Sequence, residues 1–346
     1  DTMPMTVRGL SWPGRLNLLA AGGNLVHRRL RPWNWPLHMQ MELTSFCELE
    51  CPVCPTGIGA LERSSSALDP ELFEQVLRAV GPHLLALSLW AWGEPLLYKP
   101  LGRVLELAGR YPMVTLLSTN GQRLSTAGVQ EALRAHPPTY LIVAIDGLTD
   151  ETNSVYRKGA RLAPALDGVR ALADWKQRTG ARFPVLHCRF MAMRQNEHEL
   201  PSLRRFATDT GFDMVSLRSL SIIDSAEDAH RNMVPAEELL RAYRYERGQR
   251  VQRHDFVCQH AFSFPTLLAD GTVVSCEQDF NANQPYGVLK KGGSFRDIWL
   301  SARASEVRRT IRDRPGELSF CRNCPYADRP ISSCSFDSYA VRPFEV

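Results

Sequence analysis

Short runs of nearly continuous apolar residues alternate along this chain with longer stretches in which apolar residues return every three or four positions. The runs lie at 37–43, 84–91, 112–118, 139–145, 183–193 and 213–218. They are aliphatic and β-branched without strict alternation, as expected of strands buried on both faces of a parallel sheet. The stretches near 69–80, 100–110, 126–136, 163–179 and 197–210 read as helices. The first carries the fullest set of signals. Asp69 is placed to cap it and Pro70 to start it, while Leu72, Phe73, Val76, Leu77 and Val80 share one face. Six strand–helix units in about 185 residues predict an α/β fold with crossover helices. The pattern alone leaves an open doubly wound sheet and a partial barrel as alternatives.

The flanks read differently. Gly14 to Arg31 is basic and partly apolar, with Arg28, Arg29 and Arg31 close together. Gly22-Gly23 interrupts it, so a cap packed on the barrel is expected in preference to a membrane-surface or partner helix. Residues 219–257 read as a connector, with a polar helix over Pro235–Arg253 presenting a solvated face. Asp270-Gly271, between Thr266-Leu267-Leu268 and Thr272-Val273-Val274, predicts a tight hairpin. Ser294–Arg312 reads as one helix, with Ile298, Trp299, Val307 and Ile311. The expected divisions are an N-terminal extension at 1–36, the strand–helix body at 37–222, a linker at 223–257 and a C-terminal unit at 258–346.

Composition adds constraints rather than identity. The 44% hydrophobic and 23% charged content is ordinary for a globular protein. No apolar run reaches membrane-span length, and no charged-then-apolar signal segment is visible. Nine cysteines without an export signal point to metal or catalysis rather than disulfides, and to a reducing, cytoplasmic setting. A net charge of +4 suits an acidic electron donor but does not indicate nucleic acid. No Ser-His-Asp arrangement, Walker loop or HExxH motif is present to compete for the chemistry.

The chemistry lies in the cysteines. Cys47, Cys51 and Cys54 follow the first apolar run at spacing C-x3-C-x2-C. Thiolates are soft ligands suited to iron–sulfur clusters, zinc or copper(I). Structural zinc more often uses paired C-x2-C units, which leaves zinc as the alternative here. A four-iron cluster on three cysteines keeps one iron open to a small molecule. A second set follows: Cys258, twelve residues, Gly271, four residues, Cys276, and later Cys321 and Cys324 at C-x2-C. Zinc on four cysteines is the alternative for this set as well.

The triplet after a first strand resembles the radical S-adenosylmethionine (radical SAM) superfamily. Motifs at later strand ends extend the likeness. Trp92-Gly93-Glu94-Pro95 is similar to the family's Gly-Gly-Glu-Pro, with Trp92 in place of the first glycine. Ser118-Thr119-Asn120-Gly121 is like its Thr-Asn-Gly, and Ala144-Ile145-Asp146-Gly147 is like its Ser-x-Asp-Gly, with Ala144 replacing the serine. Tyr156-Arg157-Lys158-Gly159 resembles its Tyr-x-x-x-Arg-Gly region, Val53 matches an apolar position beside adenine, and Asn196 follows the fifth strand as in many members. Each is also a plain turn or cap signal.

The resemblance implies a partial (β/α)6 TIM-like barrel, with SAM held by Val53, Gly93, Glu94, Pro95, Ser118, Asn120, Asp146, Arg157 and Asn196. The second cysteine set resembles the SPASM and twitch auxiliary-cluster regions, and its spacings are similar to those of the 2-deoxy-scyllo-inosamine dehydrogenases. A full SPASM region has seven cysteines; with five here, one auxiliary [4Fe–4S] cluster on Cys258, Cys276, Cys321 and Cys324 is implied.

The implied activity is cleavage of SAM to a 5′-deoxyadenosyl radical and hydrogen abstraction from a small polar substrate. A sugar or aminocyclitol oxidised in secondary metabolism comes first, with flavodoxin or ferredoxin as reductant. Redox-neutral epimerisation, decarboxylation or dehydration, peptide modification, and a non-enzymatic electron carrier or sensor are the alternatives. Cys188 and Cys334 are the candidate hydrogen-atom donors, each with a plain reading as a bystander or core residue. Arg189 and Arg218, on the last two strands, are candidates for gripping an anionic substrate or for surface pairs, because sequence does not say which way they face.

Overall fold

Strands form where the apolar runs fall. They are β1 (His38–Met41), β2 (Ala86–Ser88), β3 (Val114–Thr119), β4 (Tyr140–Ala144), β5 (Val185–Ala192) and β6 (Met214–Ser219). In the computed structural model, which describes residues 10–222, 232–241, 245–246, 249–250, 256–322, 324–327, 335–344 and 346, they pair in parallel in sequence order. Helix α1 (Trp12–His27) precedes them. The crossovers are α2 (Pro70–Val80), α3 (Leu101–Ala108), α4 (Ala127–Ala135), α5 (Asp150–Tyr156), α6 (Leu162–Thr179) and α7 (Leu200–Thr210). Asp69 caps α2 by accepting from the Glu71 N–H at 2.8 Å, and all five apolar residues of its face are buried. Each such side chain contributes roughly 1.5–3 kcal/mol by leaving water. The result is a six-stranded partial (β/α) barrel, in which the C-terminal ends of all six strands share one rim.

Helix α1 closes the opposite end. Asn17 donates to the carbonyls of Trp35, Pro36 and His83, just ahead of β1 and β2. Ser11 caps the helix through the Gly14 N–H and donates to the Pro82 carbonyl. The helix therefore runs unbroken through Gly22-Gly23, because anchoring by Asn17 and the buried Asn24 outweighs their low helix propensity. Its inner face is Gly14, Asn17, Ala21 and Asn24, so Trp12, Leu16, Leu19 and Val26 face outward. None of the described helices is long and apolar enough to cross a membrane.

The C-terminal third completes the sheet on both sides. β9 (Thr266–Leu267) pairs in parallel with β1, and the hairpin continues through β10 (Thr272–Val274) to β11 (Gly287–Val288). At the far edge β12 (Ser335–Ala340) pairs antiparallel with β6. One ten-stranded sheet thus runs through the boundary expected at 258.

Two helix expectations are corrected. Over Pro235–Arg253 the described residues hold a single 3₁₀ turn at Glu238–Leu240 and a strand pair, β7 (Tyr245–Glu246) and β8 (Gln249–Arg250). The stretch lacks an apolar stripe that would make a helix pay its ordering entropy. Ser294–Arg312 is two helices, Phe295–Trp299 and Ala302–Asp313, because Ser301 caps the second through the Ala304 N–H.

Candidate active site and cluster sites

The strand-end rim encloses a cavity of about 640 Å³. Cys47, Cys51 and Cys54 line it, together with Val53, Gly93, Glu94, Ser118, Asn120, Asp146 and Arg157. Parallel strands bring these residues together from positions more than 100 apart in sequence.

The cysteine loop is held by backbone contacts. The Cys54 N–H donates to the Cys51 carbonyl at 3.2 Å, and Gly57 lies where any Cβ would sit 2.4 Å from that same oxygen. Burial pushes the Cys47 thiol up to about 12 and the Cys51 thiol up to about 11. As free thiols they stay neutral, and a metal is what makes such groups ionise. An apolar shell of Leu49, Val53, Tyr156, Met193, Leu220 and Ile222 surrounds them. A single tetrahedral zinc gathers its sulfurs to about 3.8 Å. Among the described residues only His260, Cys276 and Glu277 bring three candidate ligand atoms within 4.8 Å of one another. The triplet is thus more open than a zinc ion requires, which fits the larger iron–sulfur cubane.

Beside the triplet, Glu94 is buried. Its carboxylate accepts from the Asn120 N–H at 2.7 Å, Thr119 Oγ1 at 2.6 Å and the Leu96 N–H at 2.9 Å. Burial outweighs these donors and raises the carboxyl to about 7, so an incoming cation would be needed to hold it fully ionised at neutral pH. Asn120 reaches Cys47 Sγ through Nδ2 at 3.8 Å. Asp146 is paired with Arg157 Nε at 2.7 Å and accepts from the Met191 N–H at 2.9 Å, tying the ends of β4 and β5 together.

Three expected site residues fall elsewhere. Pro95 is buried at the start of a 3₁₀ turn and Asn196 is fully buried, and neither lines the cavity. Asn196 donates to the carbonyls of Asp146 and Met191 and accepts from the Met193 N–H, so its amide is spent on loop geometry. Cys188 is corrected as a hydrogen donor. Strand alternation turns Arg189 and Met191 into the cavity and Cys188 with Phe190 into the sheet–helix core. Cys334 lies outside the described residues.

The cavity continues to the C-terminal unit. His38, Phe264, His260 and Tyr326 stack in sequence along one wall, at centroid distances of 3.8, 4.9 and 4.2 Å. Glu277 and Gln278 complete that wall, and the Tyr326 hydroxyl donates to the Glu277 carboxylate. Cys276 adjoins His260 and Glu277 of this wall, and the four expected cysteines are close enough to influence one another. Burial raises the Cys276 thiol well above its usual value, with Cys324 and Cys258 adding to the rise, and Cys321 responds to Cys258 and Cys324 in the same way. Sequence reading missed this wall, because its parts come from β1 and from segments more than 200 residues later. It also missed the role of Trp92, whose indole N–H donates to the Glu277 carbonyl at 2.7 Å and joins the β2 rim to the C-terminal hairpin.

Residues 41–207 match the radical SAM superfamily, and residues 258–325 match SPASM, an iron–sulfur cluster-binding domain. Among curated proteins, the GTP 3′,8-cyclase of Paenarthrobacter nicotinovorans is 27% identical over 207 residues, 58% of this chain. The match spans 56% of that relative's own length. Among solved structures, Streptococcus suis SuiB bound to S-adenosylmethionine superposes with a TM-score of 0.62 at 15% identity, covering 90% of this chain and 76% of SuiB. BtrN in complex with AdoMet and 2-DOIA gives a TM-score of 0.52 at 16% identity, covering 89% of this chain and 99% of BtrN. At these identities the structural likeness speaks for the fold.

Proposed function

We propose that this chain, which belongs to the radical SAM superfamily and carries a SPASM domain, oxidises a small polar substrate of the sugar or aminocyclitol class. The radical SAM domain binds SAM and a [4Fe–4S] cluster, and the SPASM domain binds auxiliary iron–sulfur. When bound, these groups supply a 5′-deoxyadenosyl radical that takes one hydrogen atom and an acceptor for the second electron, so that a secondary alcohol becomes a carbonyl and its hydroxyl proton leaves.

The single observation behind the oxidative reading is the continuity of the cavity. It runs from Cys47, Cys51 and Cys54 to Glu277 and Tyr326, directly beside Cys276. A substrate there would lie between the two cluster sites. Cys47, Cys51 and Cys54 would hold the first cluster and Cys258, Cys276, Cys321 and Cys324 a single auxiliary one. Glu94 would hold the amino group of SAM, Asn120 would lie near its ribose and carboxylate, and the apolar shell around the triplet would exclude water. The location of Cys188 in the core removes one of the two candidate hydrogen-atom donors that redox-neutral epimerisation would need.

The test is anaerobic turnover with reduced flavodoxin or ferredoxin, SAM and a panel of polyols and aminocyclitols. The expected result is one methionine, one 5′-deoxyadenosine and one carbonyl product per turnover, with substrate deuterium recovered in 5′-deoxyadenosine. Isomerised product without a carbonyl would replace oxidation by redox-neutral chemistry, and absence of methionine would remove the radical reading. A Gly93→Ala variant should cleave SAM about 10²-fold more slowly, since rim groups displaced by an ångström lose that much. Its Cβ would lie 1.9 Å from the Thr44 carbonyl oxygen, which forces the Gly93-Glu94 rim out of place. Initial rates of methionine formation check this, and a rate within threefold of wild type would contradict it.

A further inference from the structure

Helix α1 is amphipathic in reverse. Where α2 buries Leu72, Phe73, Val76, Leu77 and Val80, α1 buries Gly14, Asn17, Ala21 and Asn24 and leaves its apolar residues outside. Trp12 is 70%, Leu19 74% and Val26 78% exposed, and Leu16, Leu18 and Leu25 are exposed with them. Trp12, Leu16, Leu19 and Val26 follow at intervals of four, three and seven residues, which sets them on one stripe along the helix. Trp33 extends it. Its ring lies over Gly23, where an added Cβ would meet it at 3.4 Å, and the residue is itself exposed. The helix is attached to the barrel by hydrogen bonds from Asn17 and Ser11, so these leucines are not what holds it there. A contiguous apolar surface of this kind marks an interaction site.

Charge selects what covers the stripe. No Asp or Glu occurs from residue 2 to residue 41, whereas Arg8, Arg15, Arg28, Arg29 and Arg31 do. Arg15, Arg29 and Arg31 are exposed. The Arg29 guanidinium lies 4.8 Å from the centre of the Trp33 ring, beside the stripe, and Arg31 Nε donates to the Leu300 carbonyl at 3.1 Å. Neither a ring nor a carbonyl carries a countercharge, so these contacts hold the two groups in place and leave them cationic. Basic residues stand at both ends of the helix, so a second copy docked here would set arginines against arginines. An anionic bilayer surface instead offers apolar depth under the stripe and negative charge beside it, and tryptophan belongs at that boundary.

We propose that α1 docks the protein on an anionic lipid surface. Trp12, Leu16, Leu19, Val26 and Trp33 enter the headgroup–acyl boundary, and Arg29 and Arg31 meet lipid phosphates. The helix lies on the bilayer and does not cross it, being neither long nor apolar enough to span. Because α1 closes the end of the barrel opposite the strand-end rim, the docked protein keeps its cavity facing water. Cap and membrane-surface helix exclude each other only if Gly22-Gly23 breaks the helix; unbroken, α1 serves as both, with opposite faces.

The test is cosedimentation of the full reconstituted chain with vesicles of phosphatidylcholine alone, and of phosphatidylcholine and phosphatidylglycerol in equal parts. Wild type should bind the mixed vesicles at least about tenfold more tightly than the neutral ones, and the difference should shrink as added salt screens the headgroups. Leu19→Ser/Val26→Ser should weaken binding to mixed vesicles at least about tenfold, because two side chains no longer gain by leaving water. Arg29→Gln/Arg31→Gln should weaken it about tenfold on mixed vesicles and leave neutral ones unchanged, since charge alone is removed. All four side chains are exposed, so both variants should keep the wild-type unfolding midpoint. Should the serine variant unfold, the glutamine variant and the salt series carry the comparison. A wild type that binds neither vesicle overturns the proposal, and so does equal binding by wild type and both variants. A dimer that Leu19→Ser/Val26→Ser converts to monomer, without vesicle binding, would also overturn it and give the stripe to a second copy.

Discussion

A Cys47/Cys51/Cys54→Ala variant will retain about half of the wild-type iron and form no methionine or 5′-deoxyadenosine. Each four-iron cluster accounts for about four irons, so the count falls from about eight to about four. The loss is complete because nothing else among the described residues at the rim replaces soft anionic ligands. Glu94, a carboxylate beside the triplet, is already engaged by Asn120, Thr119 and Leu96. The remaining iron stays because Cys258, Cys276, Cys321 and Cys324 are a separate set of thiols that influence one another and are untouched by the substitution. Iron and sulfide per chain, with methionine by chromatography, decide it. Full iron retention would show that the triplet is not a cluster site. Complete loss of iron would show that the second set holds none by itself.

Glu42→Ala will lower the unfolding midpoint by about 10 °C, from a loss of about 3–5 kcal/mol. Glu42 is fully buried near the start of the cysteine segment and makes three connections at once. Its Oε1 accepts from Arg63 Nη2 at 2.6 Å and the Trp92 N–H at 3.2 Å, and its Oε2 accepts from the Ala269 N–H at 3.0 Å. Arg63 is itself buried and continues to the Phe280 carbonyl at 2.7 Å. Alanine would strand a buried guanidinium and two backbone donors, whereas removing both charges is far milder. Glu42→Gln/Arg63→Met should therefore recover much of the loss. Thermal unfolding of the reconstituted protein measures both, and a Glu42→Ala midpoint within 2 °C of wild type would contradict the argument. The same residue joins the β2 rim to the C-terminal hairpin, so substrate turnover should fall with stability.

Much of the barrel is legible in the sequence because its strands are buried on both faces. Tyr140 to Val143 are all at 0% exposure, so no alternation was needed to find β4. Motif residues such as Glu94 and Asp146 were legible because strand ends are fixed by parallel topology. Direction was not. Arg189 and Cys188 are neighbours in one apolar run, yet they face opposite sides, and only the register of β5 decides which enters the cavity. Asn196 carried the same signal for a ligand contact as for a loop brace, and the loop uses all of its amide. The stacked wall of His38, Phe264, His260 and Tyr326 left no local trace, since its members meet only after the chain has closed on itself.

The ten-stranded sheet has an implication for how the chain reaches its native state. The strands at either side of the barrel, β1 and β6, each acquire their outer partner from the C-terminal third: β9 for the first, β12 for the second. During synthesis β1 emerges more than 200 residues ahead of Thr266, and until then its outer backbone groups have no strand to receive them. An open edge of this kind is a template for pairing with another chain. Its closure is a long loop, whose cost is slow formation far more than lost stability. The nascent barrel is thus most vulnerable to misassembly on the ribosome, in the interval between the cysteine triplet and the hairpin that follows Cys258.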